Sequence, residues 1–191
     1  ARIILVENKS QWDKIQAERA NMPKLKWIVL MPQSEPISGE DTLSWEDFLA
    51  KGKSVTPEQV HERLEAIEPQ QLEQLIYTSG TTGFPKGAMH CHNLGRNAAE
   101  RGFRFNITPR DTILGYLPLF HAFGFSEAMV MSMVTGAKHI VTETFDPDES
   151  IGLVEREGVT VVHGFDAHIK GLCEAQEANP RDVSTLRTGI F

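Results

Sequence analysis

The sequence predicts an α/β fold with a mostly parallel sheet and flanking helices. Short apolar runs that are typical of buried strands alternate with helix-like stretches from residue 112 onward. The strand candidates are TILGYL, KHIVTE and VTVVHG, and between them lie FGFSEAMVMSMV and a helix predicted to begin at Pro147 and to end at Gly158. Strands at such intervals, with helices between them, favour right-handed crossovers and parallel pairing.

Residues 1–67 predict a strand–helix–strand lead-in. ARIILV and KLKWIVLM are its strands, and Trp12 and Ile15 fall on one face of the helix between them. Helix caps are predicted at Ser10, Ser44 and Thr56. The remaining residues, 68–191, form a second region with its own strands, and its last helix is predicted from about Asp166 to Asn179.

Composition narrows the classes of partner. The chain has 19 basic and 26 acidic residues, a net charge of −7, and no basic run, which argues against nucleic acid and anionic membranes. No apolar stretch approaches the ~20 residues of a membrane span. Cys91 and Cys173 do not resemble a disulfide framework, which favours a cytoplasmic protein.

Both ends, ARIILV and LRTGIF, look like strands rather than polar termini, so we expect a piece of a longer chain.

The segment TSGTTGFPKG, residues 78–87, combines hydroxyls, glycines and one lysine without a carboxylate. Such a loop offers many hydrogen-bond donors, so its expected ligand is an oxygen-rich anion, although a flexible connector has a similar composition. The apolar run LIY before it and a helix-like stretch after it favour a phosphate-binding strand–loop–helix. The Walker pattern is excluded because Lys86 stands between Pro85 and Gly87.

Two histidine-containing segments are further candidates. His90, Cys91 and His92 are not expected to hold a metal, since residues i and i+2 point to different helix faces and no further ligand stands nearby. His121, in LPLFHAFG after the strand TILGYL, lies where ligands bind in parallel sheets. A lone histidine there is compatible with a structural or a functional role.

Three segments together resemble the AMP-forming adenylating enzymes: acyl-CoA synthetases, luciferases and peptide-synthetase adenylation domains. YTSGTTGFPKGAMHCH is similar to that family's phosphate-binding motif, LPLFHAFG to its substrate-side motif, and LRTGIF to a strand before its next glycine-rich turn. The resemblance implies part of the large N-terminal domain. It is closest to fatty acyl-CoA synthetases, which join a carboxylic acid to coenzyme A by way of an acyl-AMP.

The resemblance also implies roles for individual residues. The nucleotide-binding set would be Thr78, Ser79, Gly80, Thr81, Thr82, Gly83 and Lys86. The catalytic residues would be Lys86 and His121, and the acyl group would contact His121, Phe123, Gly124 and Phe125. The implied cofactors are ATP, Mg²⁺ and coenzyme A. The implied partners are a small-molecule carboxylic acid, a nucleotide and the rest of the parent chain.

Several alternatives stay open at this point. The parent could stop at the acyl-AMP and pass the acyl group to a carrier protein, or the chain could be a non-catalytic nucleotide-binding module. The resemblance puts the C-terminal domain and the residues for adenine, ribose and magnesium outside these 191 residues, so the chain alone is expected to be inactive. Asp166 either caps its helix or faces the acyl pocket, where it would argue against a plain fatty tail.

Overall fold

The computed structural model describes residues 1–78 and 83–191 and divides the chain into two compact units, Ala1–Ile67 and Glu68–Phe191. Each unit has its own sheet and its own apolar core. The core of the first unit contains Val6, Leu25 and Ile28, and that of the second is formed by two clusters around the strands of its parallel sheet.

A three-stranded parallel sheet organises the first unit. Its strands, in spatial order, are β1 (Ile3–Val6), β2 (Trp27–Leu30) and β3 (Thr42–Leu43). Helix α1 (Lys9–Ala17) and a 3₁₀ turn (Arg19–Asn21) connect β1 to β2. The predicted strand–helix–strand arrangement is therefore confirmed.

The helices of the first unit begin at capping side chains. Helices α2 (Trp45–Lys51) and α3 (Pro57–Glu65) begin after Ser44 and Thr56, as predicted, and a 3₁₀ turn (Gly52–Ser54) follows α2. The cap predicted at Ser10 is wrong. Asn8 holds that position: its backbone is extended and its Oδ1 accepts a hydrogen bond from the Gln11 N–H at 3.0 Å, which leaves Ser10 inside α1.

The second unit contains a parallel sheet with β6 (Thr112–Gly115) at its centre. Strand β7 (Lys138–Val141) lies on one side of β6 and β8 (Val161–Val162) on the other. The connecting helices are a π-helical segment (Gly124–Val130), α5 (Met131–Thr135), α6 (Pro147–Glu157) and α7 (Asp166–Ala178). The sequence predicted each of these strands and helical regions, and the parallel pairing is confirmed.

The glycine-rich loop joins two antiparallel strands rather than a strand and a helix. Strands β4 (Leu72–Thr78) and β5 (Lys86–Cys91) pair with Thr78 opposite Lys86, and helix α4 (Asn93–Arg104) begins only afterwards. The predicted strand–loop–helix is therefore wrong. Ile76 is buried whereas Leu75 and Tyr77 are exposed, so LIY is an alternating strand, not a fully buried run.

The segment LRTGIF approaches β8 without forming a full strand. Its pairing is a single parallel bridge between Val161 and Thr188, extended by a hydrogen bond from the Gly164 N–H to the Ile190 carbonyl at 2.9 Å. A Cβ at Gly189 would collide with the Val162 carbonyl oxygen, so this approach requires glycine. The predicted strand is thus reduced to an extended segment, because β8 itself has two residues.

Among the helices in residues 1–78 and 83–191, none combines the length and apolar character of a membrane-spanning segment.

Candidate active site

A cleft of about 530 Å³ lies in the second unit between β5, α4 and the segment that follows β6. Met89, Leu94 and Phe123 supply apolar surface to it. Polar side chains supply much of the rest: Asn93, Asn97, Arg101, His121, Ser126 and Glu127. The cleft lies after the end of β6, from which the chain turns to β7 on one side and later to β8 on the other, which is where parallel sheets commonly bind ligands.

The glycine-rich loop leaves the hairpin at the paired residues Thr78 and Lys86. The Thr78 hydroxyl donates a long hydrogen bond, 3.5 Å, to the Lys86 carbonyl, and both side chains are exposed. Gly83 has a φ of 93°, a left-handed conformation that favours glycine. The predicted ligands Ser79, Gly80, Thr81 and Thr82 lie outside the described residues.

His121 is exposed at the start of the helical region after β6. Its Nδ1 accepts a hydrogen bond from the Phe123 N–H at 3.1 Å, while its own carbonyl accepts from the Phe125 N–H at 3.0 Å. In the neutral ring, an acceptor Nδ1 assigns the proton to Nε2. The Nε2–H of His121 is therefore a donor at the lining of the cleft.

The three predicted acyl-contact residues after His121 have different environments. Phe123 lines the cleft and packs on Phe165, with 5.2 Å between ring centroids. Gly124 is buried, and a Cβ there would lie 2.5 Å from the Pro118 carbonyl oxygen. Phe125 is partly buried, and neither Phe125 nor Gly124 belongs to the lining. The structure thus brings Phe123 and His121 together at the cleft.

Sequence reasoning missed a charged cluster in this cleft. Arg101 on α4 forms an ion pair with Glu127 of the π-helical segment: its Nε donates a hydrogen bond to Oε2 at 2.7 Å, and its Nη2 lies 2.6 Å from Oε1. Ser126 also joins the cluster, because its hydroxyl donates to Glu127 Oε1 at 2.7 Å. A signal was present in the sequence: a carboxylate within the apolar run FGFSEAMVMSMV needs a partner when it is buried.

His163 lies behind the cleft and is almost completely buried. Burial lowers the pKa of His163 to about 4, while the charge and backbone carbonyl of Glu127 act in the opposite direction. Its Nδ1 accepts a hydrogen bond from the Ile190 N–H at 3.2 Å. His163 is consequently neutral near pH 7, and it connects the segment 186–191 to the core.

One of the two roles predicted for Asp166 was to cap helix α7. That prediction is wrong. Phe165 holds the capping position, and its N–H donates to His168 Nδ1 at 3.2 Å. Asp166 is the first residue of the helix, where its exposed carboxylate is favourable to the helix dipole. It is not among the residues that line the cleft.

Within residues 1–78 and 83–191, no group of three or more His, Cys, Asp or Glu side chains is arranged to hold a metal ion. Cys91 and Cys173 are free thiols, and Cys91 lines the cleft.

The family of this chain is shown by its similarity to known proteins. The sequence matches the family described as "AMP-binding enzyme" along residues 1–191. The chain belongs to the AMP-binding enzyme family. This membership confirms the resemblance that the motifs YTSGTTGFPKGAMHCH and LPLFHAFG predicted.

Two curated relatives show what share of the length of an AMP-binding enzyme this chain covers. YngI of Bacillus subtilis, named as a candidate acyl-CoA synthetase, is 35% identical over 177 residues, which are 92% of this chain and 32% of YngI. The medium-chain fatty-acid–CoA ligase of Escherichia coli is 30% identical over 177 residues, 92% of this chain and 30% of the ligase. The chain therefore spans about a third of the length of these relatives.

A solved structure supports the fold. The anthranilate CoA ligase AuaEII, crystallised with anthranoyl-AMP, superimposes with a TM-score of 0.73 at 21% identity. The alignment covers 99% of this chain and 35% of AuaEII. The α/β fold class predicted from the sequence is thereby confirmed.

Proposed function

We propose that this chain forms part of an ATP-dependent, AMP-forming carboxylate–CoA ligase. The overall reaction joins a carboxylic acid to AMP with release of pyrophosphate, and then transfers the acyl group to the thiol of coenzyme A with release of AMP. The observation that carries the proposal is the cleft itself: His121 presents a donor to it, and the hairpin that carries Lys86 contributes Met89 to its lining.

The described part of the loop fits a phosphate group. The exposed ammonium of Lys86 and the left-handed backbone of Gly83 are features that phosphate-binding loops use, and residues 78–87 contain no carboxylate that would repel an anion. Lys86 and the loop hydroxyls would hold the pyrophosphate portion of ATP, with Mg²⁺ bound to the nucleotide supplying further charge neutralisation. The predicted contacts from Ser79, Gly80, Thr81 and Thr82 belong to the same proposal.

His121 is proposed to orient the acid. Its Nε2–H would donate a hydrogen bond to one carboxylate oxygen, while the Phe123 N–H fixes the ring through Nδ1. A fixed donor holds the second carboxylate oxygen in a defined direction, and such positioning is a large part of catalysis in this type of transfer. Phe123 provides apolar surface beside it, and we keep Gly124 and Phe125 as residues that shape the wall from behind.

The names of the relatives support a proposed substrate and acceptor. The Escherichia coli relative is named for medium-chain fatty acids and for CoA, so a fatty acid and coenzyme A are the proposed substrates.

The boundary between lead-in 1–67 and the catalytic region 68–191 is part of the proposal, as are a cytoplasmic location and a parent chain that supplies the remaining contacts. Because the chain spans about a third of its relatives, we expect it alone to bind ATP weakly and to release no pyrophosphate.

The test is carboxylate-dependent exchange between pyrophosphate and ATP, measured with the longer protein across a panel of aliphatic and aromatic acids. We expect exchange with at least one acid, and a strong decrease in exchange for His121→Ala. The matched control is His61→Ala, an exposed histidine on α3. Absence of exchange with every acid would contradict the proposal and favour a non-catalytic nucleotide-binding module.

The acceptor is tested separately by adding coenzyme A and quantifying the thioester by chromatography. Formation of acyl-CoA is the expected result. Accumulation of acyl-AMP without acyl-CoA would instead support an acyl-AMP ligase that passes the acyl group to a carrier protein.

A further inference from the structure

The charged cluster Arg101–Ser126–Glu127 forms part of the wall of the cleft. The side chain of Glu127 is 12% exposed and that of Arg101 is 34% exposed. Arg101 Nη2 also lies 2.5 Å from the Ser126 hydroxyl oxygen, so the three side chains are connected by hydrogen bonds. The cluster thus presents a polar surface where a plain alkyl chain would need an apolar one.

The hydrogen bonds within the cluster leave one group available. Glu127 accepts hydrogen bonds from Arg101 Nε and from the Ser126 hydroxyl, and the Ser126 hydroxyl accepts one from Arg101 Nη2, which also lies in ion-pair contact with Glu127 Oε1. The Nη1 group of Arg101 has no hydrogen-bond partner within residues 1–78 and 83–191. A guanidinium Nη1 carries two N–H donors and no acceptor, so the free position of the cluster calls for an acceptor atom.

The charge of the cluster limits what that acceptor can be. Arg101 and Glu127 neutralise each other, so there is no excess positive charge to attract a second anionic group. A second carboxylate would also lie close to the carboxylate of Glu127, and like charges in a partly buried site repel. A neutral oxygen, as in a hydroxyl or a ketone, satisfies the N–H donors without that repulsion.

We propose that Arg101, held by Glu127 and Ser126, selects a carboxylic acid whose chain carries a neutral oxygen acceptor, a hydroxyl or carbonyl group. This inference rests on the proposed function and narrows its substrate from a plain fatty acid to an oxygenated one. An alkyl chain packed against Arg101 would leave its Nη1–H donors without water or a partner. A hydrogen bond to a charged donor changes binding by about tenfold to a hundredfold.

The experiment compares acids of equal length in the pyrophosphate-exchange assay of the longer protein. The probes are octanoate and the positional isomers of hydroxyoctanoate. We expect kcat/KM for at least one isomer to exceed that for octanoate by about tenfold to a hundredfold. The double variant Arg101→Met/Glu127→Met removes the donors without leaving a buried carboxylate unpaired, and its preference ratio should fall to about one.

A matched control comes from the same helix. Arg104 is 71% exposed and pairs with Glu100, so Arg104→Met removes a guanidinium outside the cleft and should leave the preference ratio unchanged. If the double variant does not fold, as judged by circular dichroism, Arg101→Lys replaces it. Lysine keeps the charge near Glu127 but lacks the Nη1 group, and the same fall in the preference ratio is expected.

Two results would overturn the inference. One is a preference for octanoate over every hydroxy isomer by the wild type. The other is a preference ratio that the Arg101 variants leave unchanged. If no acid supports exchange, the proposed function fails, and binding of the same acids is then measured by ligand-detected NMR; equal binding of octanoate and its hydroxy isomers would overturn the inference as well.

Discussion

Arg187 and Asp111, which are 76 residues apart in the sequence, form a two-point ion pair at the base of the parallel sheet. The guanidinium donates from Nε to Asp111 Oδ1 at 2.9 Å and contacts Oδ2 from Nη2 at 2.8 Å. It also donates to the carbonyls of Phe105 and Asn106, at 3.1 and 2.8 Å. One side chain thereby connects the segment after α7 to the turn that precedes β6.

The first prediction concerns the stability of this ion pair. Asp111 is buried, and removing one partner of a buried pair typically costs about 3–5 kcal/mol. Arg187 is 36% exposed, so we expect Asp111→Ala to lower the free energy of unfolding by an amount near the lower end of that range. Urea unfolding of the 191-residue chain, followed by far-UV circular dichroism, measures the change. The control is Asp148→Ala, at an exposed site on α6. The prediction would be contradicted if Asp111→Ala lowered the free energy of unfolding by less than this control does.

The second prediction is an acid-sensitive contribution from the same carboxylate. Burial would raise the pKa of Asp111, but hydrogen bonds from Arg187, Thr160 and Thr108 outweigh it and hold the pKa well below the ordinary value of 3.8. The stabilisation is therefore complete above the ordinary pKa and is lost as the pH falls below it, at up to about 1.4 kcal/mol per pH unit. Unfolding free energies between pH 6 and pH 2.5 should fall less steeply for Asp111→Asn than for the wild type. Identical slopes would show that the pair does not determine acid stability.

The third prediction compares two glycines. At Gly124 an added Cβ would lie 2.5 Å from the Pro118 carbonyl oxygen and 2.7 Å from that of Leu117, and backbone atoms cannot rotate away. At Gly95 in α4, an added Cβ meets nothing within 4 Å. We expect Gly124→Ala to destabilise the chain by about 1–3 kcal/mol, and Gly95→Ala to stabilise it by about 0.4–1 kcal/mol. Thermal unfolding midpoints check both, and a neutral Gly124→Ala would mean that the turn before the π-helical segment can shift.

The fourth prediction assigns Lys86 to the phosphates. In the longer protein, Lys86→Ala should slow adenylation because one charge-assisted contact to the phosphates contributes about 1.5–3 kcal/mol, and it should change acid binding much less. Single-turnover formation of acyl-AMP separates the two effects. Lys170→Ala, on α7, is the control for a general loss of charge. Equal rates of adenylation in Lys86→Ala and the wild type would remove Lys86 from the mechanism.

Sequence reasoning was reliable where local chemistry determines structure. The caps at Ser44 and Thr56, the helix start at Pro147 and the helix end at Gly158 were predictable because each depends on neighbouring residues. The β4–β5 hairpin was missed because the residues after the loop were taken for the start of a helix, while Ala88 and His90 in fact pair across to β4. Strand pairing, unlike helix capping, is determined by tertiary packing.

The candidate site was predictable only in part for a related reason. His121 and Phe123 are two residues apart in one motif, so the sequence pointed to both. Arg101 and Glu127 are 26 residues apart on different helices, and only the fold brings the two side chains together. The nucleotide-binding roles of Ser79, Gly80, Thr81 and Thr82 stay predictions, since these residues lie outside the described part of the chain.

The division of the chain into two units separates its fluorophores. All three tryptophans, Trp12, Trp27 and Trp45, belong to Ala1–Ile67, whereas both tyrosines, Tyr77 and Tyr116, belong to Glu68–Phe191. Tryptophan emission excited near 295 nm therefore reports on the first unit alone, without any engineered label. Comparing that signal with hydrogen exchange of the β6 amides during denaturation follows the two units independently in a single unmodified protein.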